Sequence, residues 1–345
     1  MSEISLKVKK PKRLIAVLLA VVFIAAMGLF TWRFITAQYA PVAPNDHSYV
    51  DIIIPPQSTA NQIAGLLKKS NLIHSETAFL SYCKKEGYDS RLLAGHYRLS
   101  RSYSLATIAG YIAEGKVVNI SFTIPEGYTV AQIKDLLVRK KICSAEAWDL
   151  AVKKKYDYAF LEEVPVDNRN PLEGFLFPDT YSMSEDCSIE QIIDMMLKKF
   201  QQVWDKRFAA EAQSQKLGVY DTVILASLVE KEARAANERP IISGVIKNRL
   251  KDGMLLQIDA TILYALQEHK QIISYRDLEV ESPYNTYKYT GLPPGPIACP
   301  GQAAIAAALK PARHNYYYYV YKGDGSHYFS KTFAEHLQAQ RKYNQ

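Results

Sequence analysis

DTVILASLVEKEARAANERPIISGVIKNRL, residues 221–250, reads as two helices separated by a short polar break. In the first, Val223, Ile224, Ala226, Leu228 and Val229 form an apolar start, and Asp221 stands where a cap is needed. Glu230 then interrupts the stripe. It falls over Ala226 and Ser227, so small side chains line its near face. A carboxyl group in such surroundings is partly desolvated and usable as a general acid near neutral pH. The bland alternative is a helix end that carries Glu230, Lys231 and Glu232 into solvent. At roughly 100° per residue, Glu232 lies about 200° round the helix from Glu230, so the two acids face apart. The second helix is expected over 241–250, with Pro240 tolerated in its first turn and Ile242, Val245, Ile246 and Leu250 facing inward. Arg249, on that helix, is read as either a structural salt bridge or a site residue.

Downstream, Gly253 turns the chain into MLLQIDAT (254–261). If this segment is extended, Gln257, Asp259 and Thr261 share one face. The stretch ESPYNTYKYTGLPPGPIACPG (281–301) holds too many Gly and Pro for a helix or central strand. It places Tyr284, Asn285, Tyr287 and Tyr289 on a rigid loop, which suits binding or merely an ordered turn system. The C-terminus reads as a hairpin, 316–321 and 327–330 around a turn at 322–326, followed by a short helix.

Upstream, PLEGFLFPDTY (171–181) sets Glu173 and Asp179 among aromatic rings and prolines. Such a segment fits a carbohydrate groove, with rings against sugar faces and acids on hydroxyls, or a structural wedge. Residues 188–213 carry a helical pattern with Ser188 as cap and Ile192, Ile193, Met196, Leu197, Phe200 and Val203 as the buried stripe. Further upstream lies an internal repeat. DIIIPPQSTANQIAGLLKKSNLI from Asp51 and SFTIPEGYTVAQIKDLLVRKKIC from Ser121 share seven positions at a constant register of 70 residues. Each copy predicts a short strand, a proline turn, then a helix starting near Ser58 or Thr129, with Ile63 and Leu67 or Ile133 and Leu137 buried. Between the copies, Ser104 is expected to cap a helix that ends at Gly115.

Residues 14–32 form an almost unbroken apolar run, long enough to cross a bilayer core of roughly 30 Å. Lys7, Lys9, Lys10, Lys12 and Arg13 precede it, which predicts a cytoplasmic tail at 1–13 and an extracytoplasmic remainder. No small-x-small cleavage site follows directly, so an uncleaved anchor is expected, with 33–48 as linker. The net charge of +7 owes much to the tail, and the remaining lysines and glutamates interleave. A nucleic-acid footprint is therefore not indicated. Four scattered cysteines and no HExxH leave no metal or cofactor expected.

LEGFLFPDTY (172–181), LASLVEKE (225–232), VIKNRL (245–250), LQIDAT (256–261), and YNTY with GLPPGPIACPG (284–301) together resemble a known family. It is that of the bacterial membrane-anchored endolytic murein (lytic) transglycosylases, the YceG-like proteins. Ala260 stands where the family usually has proline. The resemblance implies an α+β fold with a LysM-like subdomain at 49–120, a second repeat unit with connecting region at 121–214, and a catalytic domain at 215–345. It implies cleavage of the β-1,4 bond between N-acetylmuramic acid and N-acetylglucosamine within new glycan strands, without added water, leaving a 1,6-anhydro end. Peptidoglycan strands are the implied substrate, cell-wall polymerases the implied partners, and the plasma membrane the implied location.

The family's catalytic glutamate is carried onto Glu230. One acid suffices for such a reaction, because the sugar's own C6 hydroxyl attacks, whereas a hydrolase needs two. Gln257, Asp259, Asn285, Tyr287 and Glu173 are then expected around the cleft for sugar binding, water exclusion or orientation of the acid. Two other readings compete: a non-enzymatic peptidoglycan-binding scaffold, and a hydrolase pairing Glu230 with Asp259 or Glu281.

Overall fold

The computed structural model describes residues 11–165, 170–185, 187–268, 270 and 273–343. Helix α1, Pro11–Tyr39, continues the apolar run past Trp32 through the first part of the expected linker. Its large apolar side chains from Val17 to Ile35 are exposed, so no protein core accounts for their hydrophobicity. Thr31 and Thr36 donate their hydroxyls to the backbone carbonyls of Met27 and Trp32 at 2.9 and 3.0 Å. That satisfies polar groups without water, as a bilayer interior demands. The segment Ala16–Tyr39 is long and apolar enough to cross a membrane.

The chain divides into two compact units, Met1–Ile120 with Met183–Asp186, and Ser121–Ser182 with Cys187–Gln345. Apart from Met183–Asp186, residues 121–214 and 215–345 thus belong to one unit. In the first unit, strand β1 (Tyr49–Ile54) leads to helices α2 (Ala60–Lys69) and α3 (Glu76–Glu86), then strand β2 (Gly95–Ser100) and helix α4 (Leu105–Ala113). β1 and β2 pair antiparallel, from Tyr49 opposite Ser100 to Ile54 opposite Gly95. The inward residues Ile52, Ile54, Tyr97 and Leu99 pack with Ile63, Leu67, Phe79 and Ile108 into one core. As the pattern predicts, Ser104 caps α4 by accepting from Thr107 N–H.

The repeat is structural. Strand β3 (Asn119–Thr123) and helix α5 (Val130–Arg139) in the second copy match β1 and α2 in the first. Thr59 and Thr129 each cap their helix in a reciprocal box with Gln62 or Gln132. The first cap is therefore Thr59, not Ser58, whose hydroxyl turns back to the Pro55 carbonyl. The backbone repeats as well. Gln57 and Gly127, 70 apart, both take positive φ, and so do Asn71 and Lys141. Ile63, Leu67, Ile133 and Leu137 are all buried.

The second unit continues with α6 (Ala145–Ala151), β4 (Thr180–Ser184), which pairs with β3, and α7 (Ile189–Arg207), capped by Ser188. The expected stripe of α7 is buried except Val203, whose place Trp204 takes. Then come α8 (Ala209–Gln215), α9 (Val219–Glu232), α10 (Arg239–Lys251), α11 (Asp259–Leu266) and α12 (Gln302–Leu309). The unit ends with the hairpin β5 (Tyr318–Tyr321) and β6 (His327–Ser330) and helix α13 (Phe333–Tyr343). The helix-opening residue of α9 is Gly218, and Asp221 lies within the first turn, where its charge still suits the positive helix end. Thr222 through Val229 are all buried, so α9 is a core helix rather than an amphipathic one. α10 and α12 pack against it.

Leu137 is fully buried. Leu137→Ala should therefore destabilise the second unit by about 2–5 kcal/mol. Urea unfolding of wild type and variant reads this, and a loss below about 1 kcal/mol would contradict the packing described here.

Candidate active site

A helix buried along its length delivers its last turn to a defined place. α9 is fixed at its start by Tyr220, whose hydroxyl donates to Pro294 O at 2.8 Å. Further along, Ser227 accepts from Ile297 N–H at 3.1 Å. Both bonds tie α9 to the Gly/Pro-rich loop, so that loop is a wall of the site. From the final turn, Glu230 and Glu232 leave in different directions.

Glu230 is engaged at both oxygens. One accepts from Gly301 N–H at 2.9 Å, and the other from the Arg239 guanidinium at 3.3 Å. Beside it lies Glu126, from the proline turn of the second repeat. Burial raises the Glu126 pKa, and the charge of Glu230 adds to the effect. Gly301 permits this approach, since a Cβ there would lie 1.9 Å from a Glu126 oxygen. Glu126, Gly127, Tyr128 and Gln132 face Glu230, Lys231 and Arg234 across an open cleft of about 270 Å³. Glu126 was legible only by setting the two repeats side by side, where Pro56 in the first copy becomes Glu126 in the second.

Glu232 has different neighbours. The Tyr319 hydroxyl, on hairpin β5–β6, donates to its carboxyl at 2.8 Å. Burial pushes the Glu232 pKa up and nearby Asp259 pushes it the same way, while Tyr319, His327 and Arg234 oppose them. Asp259 accepts from the Tyr287 hydroxyl at 2.5 Å. The hairpin is held in place by Glu238, whose carboxyl takes the His327 backbone N–H at 2.8 Å and its ring Nδ1 at 2.7 Å. Both side chains of that pair are almost fully enclosed. Asp259 and Tyr287, expected around Glu230, therefore gather beside Glu232. Helical spacing correctly turns the two acids apart, but it cannot tell which side the loop and hairpin cover. Tyr319, Glu238 and His327 carry no sequence signal for a site, because only tertiary packing brings them there.

The remaining expected residues have their own places. Residues 254–261 are not an extended strand: Gln257 takes a positive φ of 49°, and Asp259 opens α11. Gln257 is exposed, and its backbone N–H donates to Thr286 O at 3.0 Å. The buried Asn285 amide donates to Leu278 O and Val280 O, both at 2.9 Å, and accepts from Tyr287 N–H. It shapes the loop that aims Tyr287. Arg249 makes no salt bridge among the described residues. It donates instead to the carbonyls of Tyr317 at 2.6 Å and Leu256 at 2.7 Å, and its guanidinium lies 5.1 Å from the centre of the Tyr318 ring. Phe175, Leu176 and Phe177 are buried, so the rings expected to meet sugar are core. Glu173, 2% exposed, accepts from Val130 N–H at the start of α5 and from the Tyr264 hydroxyl at 3.2 Å.

The family model described as the YceG-like family matches residues 52–342. An endolytic murein transglycosylase of Bacillus subtilis is 37% identical over 315 residues, spanning 88% of this chain and 87% of that protein. One of Streptococcus pneumoniae is 32% identical over 351 residues, 93% of this chain, although the match spans only 63% of that longer protein. Among solved structures, a crystal structure of a yceG-like protein from Listeria monocytogenes aligns with a TM-score of 0.58 and 36% identity. It covers 84% of this chain and 98% of that one.

Burial pushes Glu173 up to about 8, so the folded state keeps a proton that the unfolded chain releases near its ordinary value of 4.5. This contribution to stability is complete below the unfolded value and is lost as pH rises through about 8. Stability of wild type relative to Glu173→Gln should fall across roughly pH 5–8, by at most about 1.4 kcal/mol per pH unit. Urea unfolding of both at several pH values reads the difference. A difference independent of pH would contradict the assignment.

Proposed function

The chain belongs to the YceG-like family, and from that premise we propose that it cuts murein glycan strands internally as a lytic transglycosylase, with Glu232 as the proton donor. The observation that carries the residue assignment is the Glu232 carboxyl held by the Tyr319 hydroxyl, with its pKa raised by burial and by the nearby charge of Asp259. A general acid must hold its proton at working pH. Glu230, by contrast, spends both oxygens on Arg239 and Gly301 N–H, which suits a fixed wall. The role first carried onto Glu230 therefore passes, in this proposal, to Glu232.

Protonated Glu232 gives its proton to the glycosidic oxygen between N-acetylmuramic acid and N-acetylglucosamine. The muramic acid C6 hydroxyl attacks C1, and the Glu232 carboxylate takes the hydroxyl proton, leaving the 1,6-anhydro end. Tyr319 steadies the carboxylate stage through its hydrogen bond. Asp259 favours the protonated stage by like charge, and Tyr287 holds Asp259 in position. Gln257, exposed next to Asp259, is a sugar-binding candidate. Asn285 acts indirectly, by shaping the Tyr287 loop.

The apolar α1 helix is a single membrane anchor, and the basic residues before it favour a cytoplasmic tail and an extracytoplasmic catalytic unit. A LysM-like role for the first unit in holding glycan, and recruitment of cell-wall polymerases, complete the proposal.

Glu232→Gln should lower kcat by at least about 10²-fold, without loss of the thermal transition. Glu230→Gln should keep kcat within about tenfold and instead lose about 1–3 kcal/mol of stability, because the Arg239 charge is left without its partner. Mass spectrometry of anhydro ends formed from uncrosslinked glycan decides between them. The reverse pattern would return the role to Glu230, and products heavier by one water would replace the lytic reaction with hydrolysis.

Tyr319→Phe removes a bond that favours the ionised acid, so the alkaline limb of the kcat/KM profile should move to higher pH. An unmoved limb would separate Tyr319 from the titrating group.

A further inference from the structure

A cavity of the second unit lies away from these acids, on another face of α10. Gly244, Lys247 and Asn248 stand at i, i+3 and i+4 and form its helical wall, whereas Arg249, which reaches toward Tyr318 and the β5 side, is turned about 200° from Lys247. The opposite wall is the segment 309–314, from Leu309 to His314, which joins α12 to the hairpin. The two walls approach closely because residue 244 is glycine. A Cβ there would sit 2.5 Å from both Ala312 O and His314 Nε2. His314 bridges the walls, with Nε2 at 2.9 Å from Ile241 O and Nδ1 accepting from Tyr316 N–H at 3.1 Å. Its ring is therefore a structural brace.

The cavity, about 610 Å³, is lined by three cations and one carboxylate: Lys247, Lys310 and Arg313 against Glu211. Glu211 is already committed. One oxygen pairs with Lys310 at 3.0 Å, and the carboxyl also accepts from Gln215 at 2.8 Å. Lys247 and Arg313 make no salt bridge or side-chain hydrogen bond among the described residues. Lys247 is half-buried, and burial alone pushes its pKa down, with no anion to offset it. A partly desolvated ammonium on the wall of a polar cavity is costly unless an anion pairs with it. The net of two positive charges matches a dianion better than a monoanion. A cavity of this size lies within the range of small-ligand sites and leaves room for a substituent.

We infer that the cavity between α10 and the 309–314 segment is a binding site for a phosphate or diphosphate group, held by Lys247 and Arg313 with Lys310 at its rim. The guanidinium offers paired donors to the oxygens and the ammonium a point charge. Such a group reaches a membrane-anchored protein either as a lipid headgroup or on a soluble phosphate ester, and the chemistry of the cavity is the same for both.

The test is titration of the full-length protein in neutral detergent with inorganic pyrophosphate, by calorimetry and by thermal shift. Saturable binding that weakens with added salt is expected, with a rise in the thermal transition. Lys247→Gln and Arg313→Gln should each weaken binding at least about tenfold and abolish most of the rise. Lys247→Gln should itself unfold no earlier than wild type, since it removes an unpaired, partly desolvated charge, so lost binding is separable from lost folding. Acetate is the carboxylate probe, and binding as tight as that of pyrophosphate would overturn the phosphate assignment. Absence of saturation, or equal affinity in both variants, would overturn the site. Micelles doped with phosphatidic acid distinguish the source: displacement of pyrophosphate identifies a lipid headgroup, and undisturbed binding identifies a soluble phosphate ester.

Discussion

A helix buried on every side has to find partners for whatever charge it carries at its end, and α9 ends in Glu230, Lys231 and Glu232. Its apolar length, Thr222–Val229, is enclosed by α10, α12 and the Gly/Pro-rich loop, which fixes where the last turn emerges. Each charge meets a different environment as a result. Glu230 meets a guanidinium and the N–H of Gly301, at the opening of α12. The Lys231 ammonium approaches the Gly127 carbonyl at 3.4 Å, and burial pulls its pKa down. Glu232 meets a tyrosine hydroxyl and feels the charge of Asp259. The rigidity of one core helix thus turns three neighbouring residues into three distinct chemical groups.

The surrounding parts are arranged around that turn. The second repeat reuses the strand–turn–helix unit of the first, down to the reciprocal threonine–glutamine caps and the positions of positive φ. Only its turn is adapted, with Glu126 and Gly127 brought against Glu230. Glu173 serves the same unit from beneath, since its enclosed carboxyl takes the first N–H of α5. On the other side, the His327–Glu238 pair pins the hairpin so that Tyr319 reaches Glu232. A loose hairpin would leave that carboxyl without its donor, and a hydrogen bond that forms intermittently tunes an acid poorly.

Two carboxyl groups two residues apart can therefore be unlike in function without any difference in residue type. Charge and donors fix one in place, while desolvation and a like charge push the pKa of the other up. Such a division suits a reaction in which one group serves first as acid and then as base.

Much was legible without coordinates. An unbroken apolar run found α1, apolar stripes found α7, α9 and α10, and the constant register of 70 residues found both repeat units, because local sequence dictates where helices start and which faces are apolar. The motifs carried by 172–181, 225–232 and 284–301 pointed to the family. Proximity across the chain was not legible. Helical spacing turned Glu232 away from Glu230, yet nothing local says that Asp259, Tyr287 and Tyr319, from three other segments, close over the far side. Likewise Phe175 and Phe177 have the composition of a sugar platform, but the packing of α7 and α9 makes them core. Residue pattern determines which elements form and which faces are apolar. Whether a polar group is desolvated depends on atoms distant in sequence, and only the folded chain decides that.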